Sequence, residues 1–202
     1  MDELILNQPV KHSVWDEYVP IITSGRHSDV YLNDIIEAPH VYNQLMHQFS
    51  TAYPGDTFKL HINNGGGYAD TAFMLVDAIR NSAATVDAKL SGTVASSATI
   101  ITMACNSIEV VPHTSFMIHN YSGGASGKGN EIKQQIDFTD AALNSAFRDI
   151  YGGFLTPLEM DFVIAGKDYW MGREEVLARW AARKAADTST LEAIAADRKK
   201  GK

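Results

Sequence analysis

The sequence predicts an α/β domain, on three observations. Between residues 26 and 183 the apolar period switches repeatedly between two and about 3.6, the periods of strands and of helices. Two strand-turn-helix units follow one another, the first over residues 57–81 and the second opening at Val86. A long amphipathic stripe then covers residues 130–151, directly after the glycine-rich run Tyr121-Ser122-Gly123-Gly124-Ala125-Ser126-Gly127-Lys128-Gly129.

Each element has a local reason. Residues 29–32 are a short strand candidate, and Val41, Leu45 and Phe49 share one face of a helix over residues 41–53. Phe58, Leu60 and Ile62 alternate on one face of a strand that runs into a turn at Asn63-Asn64-Gly65-Gly66-Gly67. Ala69, Ala72, Phe73, Val76 and Ile79 line a helix over residues 68–81. Val86, Ala88 and Leu90 alternate as the next strand, followed by a turn at Ser91-Gly92-Thr93 and a small-residue helix starting near Ser96. Residues 107–111 and 115–119 read as further strands separated by Pro112. Ile132, Ile136, Leu143, Phe147 and Ile150 lie along one side of the long helix. A short helix follows, opened by a Thr156/Glu159 capping box with Pro157 in its first turn and stopped by Gly166. Residues 1–25 read as an N-terminal arm, and residues 184–202, rich in Ala, Lys, Asp and Thr, as a flexible tail.

Composition narrows the classes of function. With 202 residues and 45% hydrophobic composition, the chain can bury one sizeable core, the domain at 26–183. Seventeen Lys and Arg against 24 Asp and Glu leave a formal charge of −7, which gives no electrostatic reason to expect nucleic acid as a partner. The single cysteine, Cys105, excludes an intramolecular disulfide, a CxxC redox pair and a thiolate-rich metal site, and fits a reducing compartment. The first residues lack a signal pattern and no stretch of about 18 apolar residues occurs, so a cytoplasmic chain without a membrane span is expected. His12, His27, His40, His47, His61 and His113 show no metal-ligand spacing, so no metal is expected.

Three features carry chemistry only in combination. Taken singly, Gly65-Gly66-Gly67 is a tight turn, Ser96 a helix N-cap and His119 a structural histidine at a strand end. A serine hydroxyl becomes a nucleophile at neutral pH when an imidazole accepts its proton and a carboxylate holds the imidazole tautomer. Ser96 or Ser97, His119, and Asp168 or Asp161 can fill those roles. The run at residues 123–129 is not a phosphate loop, because its glycine-lysine spacing is wrong and Gly129 stands where Ser or Thr is required.

The ordered set Ile62-Asn63-Asn64-Gly65-Gly66-Gly67, Gly92-Thr93-Val94-Ala95-Ser96 and Met117-Ile118-His119 resembles the proteolytic subunits of the caseinolytic (Clp) proteases, over roughly residues 26–178. The resemblance implies a Clp/crotonase-like spiral of β-β-α units, with the helix over residues 130–151 projecting as a handle. It implies a serine endopeptidase that cleaves extended or unfolded polypeptides through an acyl-enzyme on Ser96, with His119 and Asp168 completing the triad. It nominates the Gly66 and Ser97 amides as the oxyanion hole, and Gly67, Ser122, Gly123, Gly124 and Ala125 as the edge that binds substrate backbone. The implied assembly is a homo-oligomeric chamber of one or two rings, usually of seven subunits. No cofactor is implied for this chain; ATP would be consumed by a separate AAA+ unfoldase. The sequence departs from the pattern at Asn64-Gly65, where Ser-Pro is usual, at Lys167, where an arginine is usual, and at Trp180-Ala181-Ala182-Arg183, where Gly-Leu-Val-Asp is usual. The arm also lacks the family's Asp-Ile-Tyr-Ser-Arg-Leu-Leu element. Two other readings of the same residues are a non-proteolytic scaffold subunit and an acyl-CoA enzyme of the crotonase group, which shares the oxyanion turn.

Overall fold

A seven-stranded sheet organises the computed structural model, which describes residues 18–200, with side chains through residue 190. The strands are β1 (Ile21–Ser24), β2 (His27–Ile36), β3 (Thr57–Gly67), β4 (Thr85–Ala95), β5 (Ser107–Val110), β6 (Ser115–Ile118) and β7 (Tyr169–Gly172). Their order is β1-β2-β3-β4-β6-β7, with β5 also paired to β4. Strands β2 to β6 run parallel, while β1 and β7 join antiparallel at the two edges. The helices are α1 (Asn43–Thr51), α2 (Ala69–Asn81), α3 (Ser97–Thr102), α4 (Gly129–Ile150), α5 (Pro157–Ile164) and α6 (Arg173–Lys200).

The alternation read from the sequence is what packs the sheet. Phe58, Leu60 and Ile62 of β3 and Val86, Ala88 and Leu90 of β4 are buried on one face. Leu45 and Phe49 of α1, Leu75, Val76 and Ile79 of α2 and Ile101 of α3 belong to the same core. Each such side chain contributes roughly 1.5–3 kcal/mol when fully buried. The other sheet face is polar, unlike that of most parallel sheets. Glu109 bridges Lys59 at 2.9 Å and Lys89 at 3.0 Å, and these two ammonium groups pull its carboxyl down to about 2. His61 and His27 flank Asp29 at 2.6 and 3.3 Å on that face.

Two expected turns are strand instead. β3 continues through Gly67 and β4 through Ala95, because the glycines keep ladder pairing at the cost of a register shift. The extra length of β4 matters: its first half pairs with β5 and its last residues, Thr93 to Ala95, pair with β6. Strand β7 was not anticipated, since only four residues of it pair, at one edge.

Both chain ends differ from expectation as well. Within the expected arm, residues 1–17 lie outside the described residues, but Ile21–Ser24 extends the sheet as β1, with Ile21 packed against the core. At the other end the helix α6 continues through the expected tail to Lys200, in keeping with its run of alanines and long charged side chains. Arg179 docks α6 on α5 through a two-pronged contact with Glu159, at 2.7 and 2.9 Å. The Thr156/Glu159 capping box forms as the sequence predicts. Most of α4 stands clear of the core, with only Phe147 and Ile150 buried and Phe138 74% exposed. Among the described residues no helix is long and apolar enough to cross a membrane.

Candidate active site

Ser96 occupies the sharp bend where β4 ends and α3 begins, with φ 54° and ψ −128°. A non-glycine residue in that region costs on the order of 1–3 kcal/mol, so the surroundings must hold it there. They do so from both sides. Its N–H donates to the Met117 carbonyl at 2.9 Å, and its own carbonyl accepts the Thr99 N–H at 2.8 Å and the Thr99 hydroxyl at 2.6 Å. The first of these bonds ties the end of β4 to β6, where His119 follows.

The glycine run of β3 closes against this bend. Gly66 has φ 103°, and a methyl group on its α-carbon would stand 2.5 Å from Ser96 Cβ and 3.0 Å from Ser96 Oγ. The need for glycine therefore comes first from the serine itself. The Gly66 N–H donates to Asn64 Oδ1 at 2.8 Å, so the expected oxyanion donor carries a partner within its own turn. Ser97, the competing nucleophile, is 3% exposed and its hydroxyl donates to the Gly67 carbonyl at 2.8 Å. Ser96 Oγ has no hydrogen-bond partner among the described residues, which leaves it the freer of the two hydroxyls.

Ser96 and His119 line one cavity of about 340 Å³, with Tyr68, Ile100, Phe147 and Tyr151 among its apolar walls. Among the described residues no hydrogen bond joins the hydroxyl to the imidazole, although both line the same cavity. Asp168 directly precedes β7, whose Tyr169 pairs antiparallel with Ile118, so Asp168 and His119 sit at facing positions just beyond the ladder. Asp168 is exposed. Asp161 lies on α5 and is held by Arg148 at 2.7 Å. Register thus places Asp168 opposite the histidine, although among the described residues no hydrogen bond joins the two, while Asp161 is paired with Arg148.

Of the expected substrate edge, Ser122 and Gly67 line the cavity that holds Ser96. Gly123, Gly124 and Ala125 line a second cavity of about 280 Å³ against Ile136 and Thr139 of α4. Residues 119–126 form no regular structure, yet they are tethered: Asn120 Nδ2 donates to the Ile164 carbonyl at 2.9 Å, and the Tyr121 hydroxyl donates to Asp140 on α4. Tyr121 faces both cavities. Neither Tyr121 nor Asp140 stood out in the sequence, and no spacing rule would have linked them. Cys105 is buried, and desolvation pushes its thiol up to about 12, which keeps it unreactive. Among the described residues no group of three His, Cys, Asp or Glu side chains is placed to hold a metal ion.

Comparison with known proteins bears on the family and the fold. The family model described as Clp protease matches residues 26–177. The chain is 28% identical over 128 residues to ATP-dependent Clp protease proteolytic subunit 3 of Rhizobium meliloti, covering 61% of this chain and 64% of that protein. It is 24% identical over 162 residues to proteolytic subunit 2 of Pseudomonas aeruginosa, covering 78% and 75% of the two chains. Among solved structures, a mutant of ClpP1 from Listeria monocytogenes superposes with a TM-score of 0.56 at 19% identity, over 75% of this chain and 86% of that one, a likeness of fold. With three quarters of its length inside the family model, the chain is a divergent member of the Clp protease family.

Proposed function

We propose that the chain is a serine endopeptidase acting on extended or unfolded polypeptide, with Ser96 as nucleophile, His119 as general base and Asp168 orienting the imidazole. The observation that carries this reading is the strained Ser96 bend facing His119 across a single cavity. His119 takes the Ser96 proton as Oγ attacks the peptide carbonyl. Negative charge then moves onto the former carbonyl oxygen, which the Ser97 and Gly66 amides receive. When the intermediate collapses, His119 returns the proton to the leaving amine, and a second cycle with water frees the acyl group from Ser96. For Gly66 to take part, its N–H must share or leave Asn64 Oδ1.

The same proposal places the chain in a cytoplasmic homo-oligomeric ring or double ring served by a separate ATP-driven unfoldase. The support is the family and the surface of α4, where Ile136 and Phe138 are exposed on a helix that leaves the core. Such a face suits contact with another copy of the chain.

One observation favours a non-proteolytic scaffold: the Gly66 amide is occupied by Asn64 Oδ1. Fluorophosphonate labelling separates the readings. A peptidase labels at Ser96 and hydrolyses unstructured peptides, and Ser96→Ala abolishes both. A folded chain that neither labels nor hydrolyses is a scaffold, and one that binds acyl-CoA esters without labelling belongs with the crotonases. Mass measurement of the native assembly gives the ring size.

A further inference from the structure

The Thr99 hydroxyl has one proton and two neighbours. It lies 2.6 Å from the Ser96 carbonyl oxygen and 2.7 Å from the Tyr151 hydroxyl. A carbonyl oxygen can only accept, so the Thr99 proton goes to Ser96, and Tyr151 must then donate to Thr99 Oγ1. The result is a directed chain, Tyr151 O–H to Thr99 O–H to Ser96 C=O, in which each bond polarises the next. Burial raises the Tyr151 phenol well above its ordinary range, which keeps the donor proton in place.

The chain has a fixed anchor. Tyr151 follows the last residue of α4; its N–H donates to the Phe147 carbonyl at 2.9 Å and its carbonyl accepts from Phe154 and Leu155 at 3.0 Å each. Thr99 is fully buried and Tyr151 is 2% exposed, so neither bond faces bulk solvent. A threonine bonded three residues back is common at a helix start. The tyrosine from an element 52 residues away is what turns a local bond into a brace.

What the brace holds, together with the Thr99 N–H that donates to the same carbonyl at 2.8 Å, is one peptide plane. The Ser96 carbonyl and the Ser97 N–H belong to the same trans peptide unit and point in opposite directions. We infer that Tyr151 and Thr99 are positioning residues that set the Ser96–Ser97 peptide plane, and so aim the Ser97 N–H at the oxyanion. This inference rests on the peptidase reading for its catalytic consequence, while its structural half stands without turnover.

The experiment compares the full-length chain with Thr99→Val, Thr99→Ser, Tyr151→Phe and the Thr99→Val/Tyr151→Phe pair. Peptide hydrolysis, the rate of fluorophosphonate labelling and hydrogen exchange in a peptide covering residues 95–102 are measured on each. Loss of aim removes transition-state stabilisation, so kcat and labelling fall about 30-fold in Thr99→Val and about 5-fold in Tyr151→Phe, with KM within about twofold. Thr99→Ser restores most of the rate. Because Tyr151 acts through Thr99, adding Tyr151→Phe to Thr99→Val costs less than about twofold more. Exchange rises in residues 95–102 and stays unchanged in β3. Unaltered kcat in the single variants, or multiplying effects in the pair, overturns the inference. If the unsubstituted chain neither labels nor hydrolyses, the peptidase reading falls alone, and exchange decides the brace: a local rise upholds it and no rise removes it.

Discussion

Gly66 and Ser96 are packed so that the first lacks room for any side chain: its missing methyl would stand 2.5 Å from the serine Cβ. Because Gly66 also sits at φ 103°, Gly66→Ala combines backbone strain with a clash that neither strand end can relieve cheaply. Unfolding free energy is expected to fall by roughly 2–4 kcal/mol, read from denaturant titration. Labelling at Ser96 should drop at least about 100-fold in whatever fraction remains folded, because displacement of a nucleophile by about 1 Å is enough for that. Labelling at the unsubstituted rate would mean that the two strand ends move independently.

Asn64 is the neighbour that decides what Gly66 can do. Its Oδ1 holds the Gly66 N–H, and its Nδ2 is buried without a partner among the described residues, a group that costs about 1–3 kcal/mol to leave unsatisfied. Asn64→Ser removes the orphaned donor and shortens the acceptor, which frees the Gly66 N–H for the substrate. Fluorophosphonate labelling is expected to accelerate about 2- to 10-fold, with stability unchanged or higher. A slower rate would show that the asparagine shapes the turn for catalysis rather than obstructing it.

Much of this frame is legible in the sequence alone. The alternating Phe58, Leu60 and Ile62, the stripe on α4 and the Thr156/Glu159 cap are local patterns with one physical solution each. The glycines of β3 and the bend residues of β4 misled, because the preference of glycine for turns is weaker than ladder pairing between two long neighbours. The serine and histidine were readable as candidates, and their shared cavity follows from the pairing of β4 with β6. Thr99, Tyr121, Asp140 and Tyr151 were not, and Asn64 stood out only as a departure in the turn before Gly66. Their roles depend on contacts between distant segments, and polar residues of these types occur in any chain.

The α5–α6 clamp predicts a pH dependence of stability. Arg179 first, and then the Thr156 amide and hydroxyl, draw the Glu159 carboxyl from 4.5 down to about 2. A depressed folded-state value means that the contribution is complete above about 4.5 and is lost as pH falls through about 2. Glu159→Gln should therefore lower the unfolding free energy at pH 7 by about 1–3 kcal/mol. The gap between the two proteins should close progressively between those two pH values. A gap that persists at pH 2 would assign the effect to packing rather than to charge.

The link between Tyr121 and Asp140 predicts a separation of substrate binding from serine reactivity. Residues 119–126 have no ladder partner, so the tyrosine that faces both cavities depends on α4 to keep the segment in place. In Tyr121→Phe the ring remains while the tether is lost, and Asp140→Asn replaces a charge-assisted bond with a weaker neutral one. An extended peptide needs the whole segment in register, whereas a small fluorophosphonate needs only Ser96 and its oxyanion donors. KM for an unstructured peptide is expected to rise about 3- to 10-fold in Tyr121→Phe and less in Asp140→Asn, while labelling of Ser96 stays within about twofold. Equal losses in both assays would place Tyr121 in the machinery around the serine, and an unchanged KM would mean that the glycine-rich segment does not bind substrate.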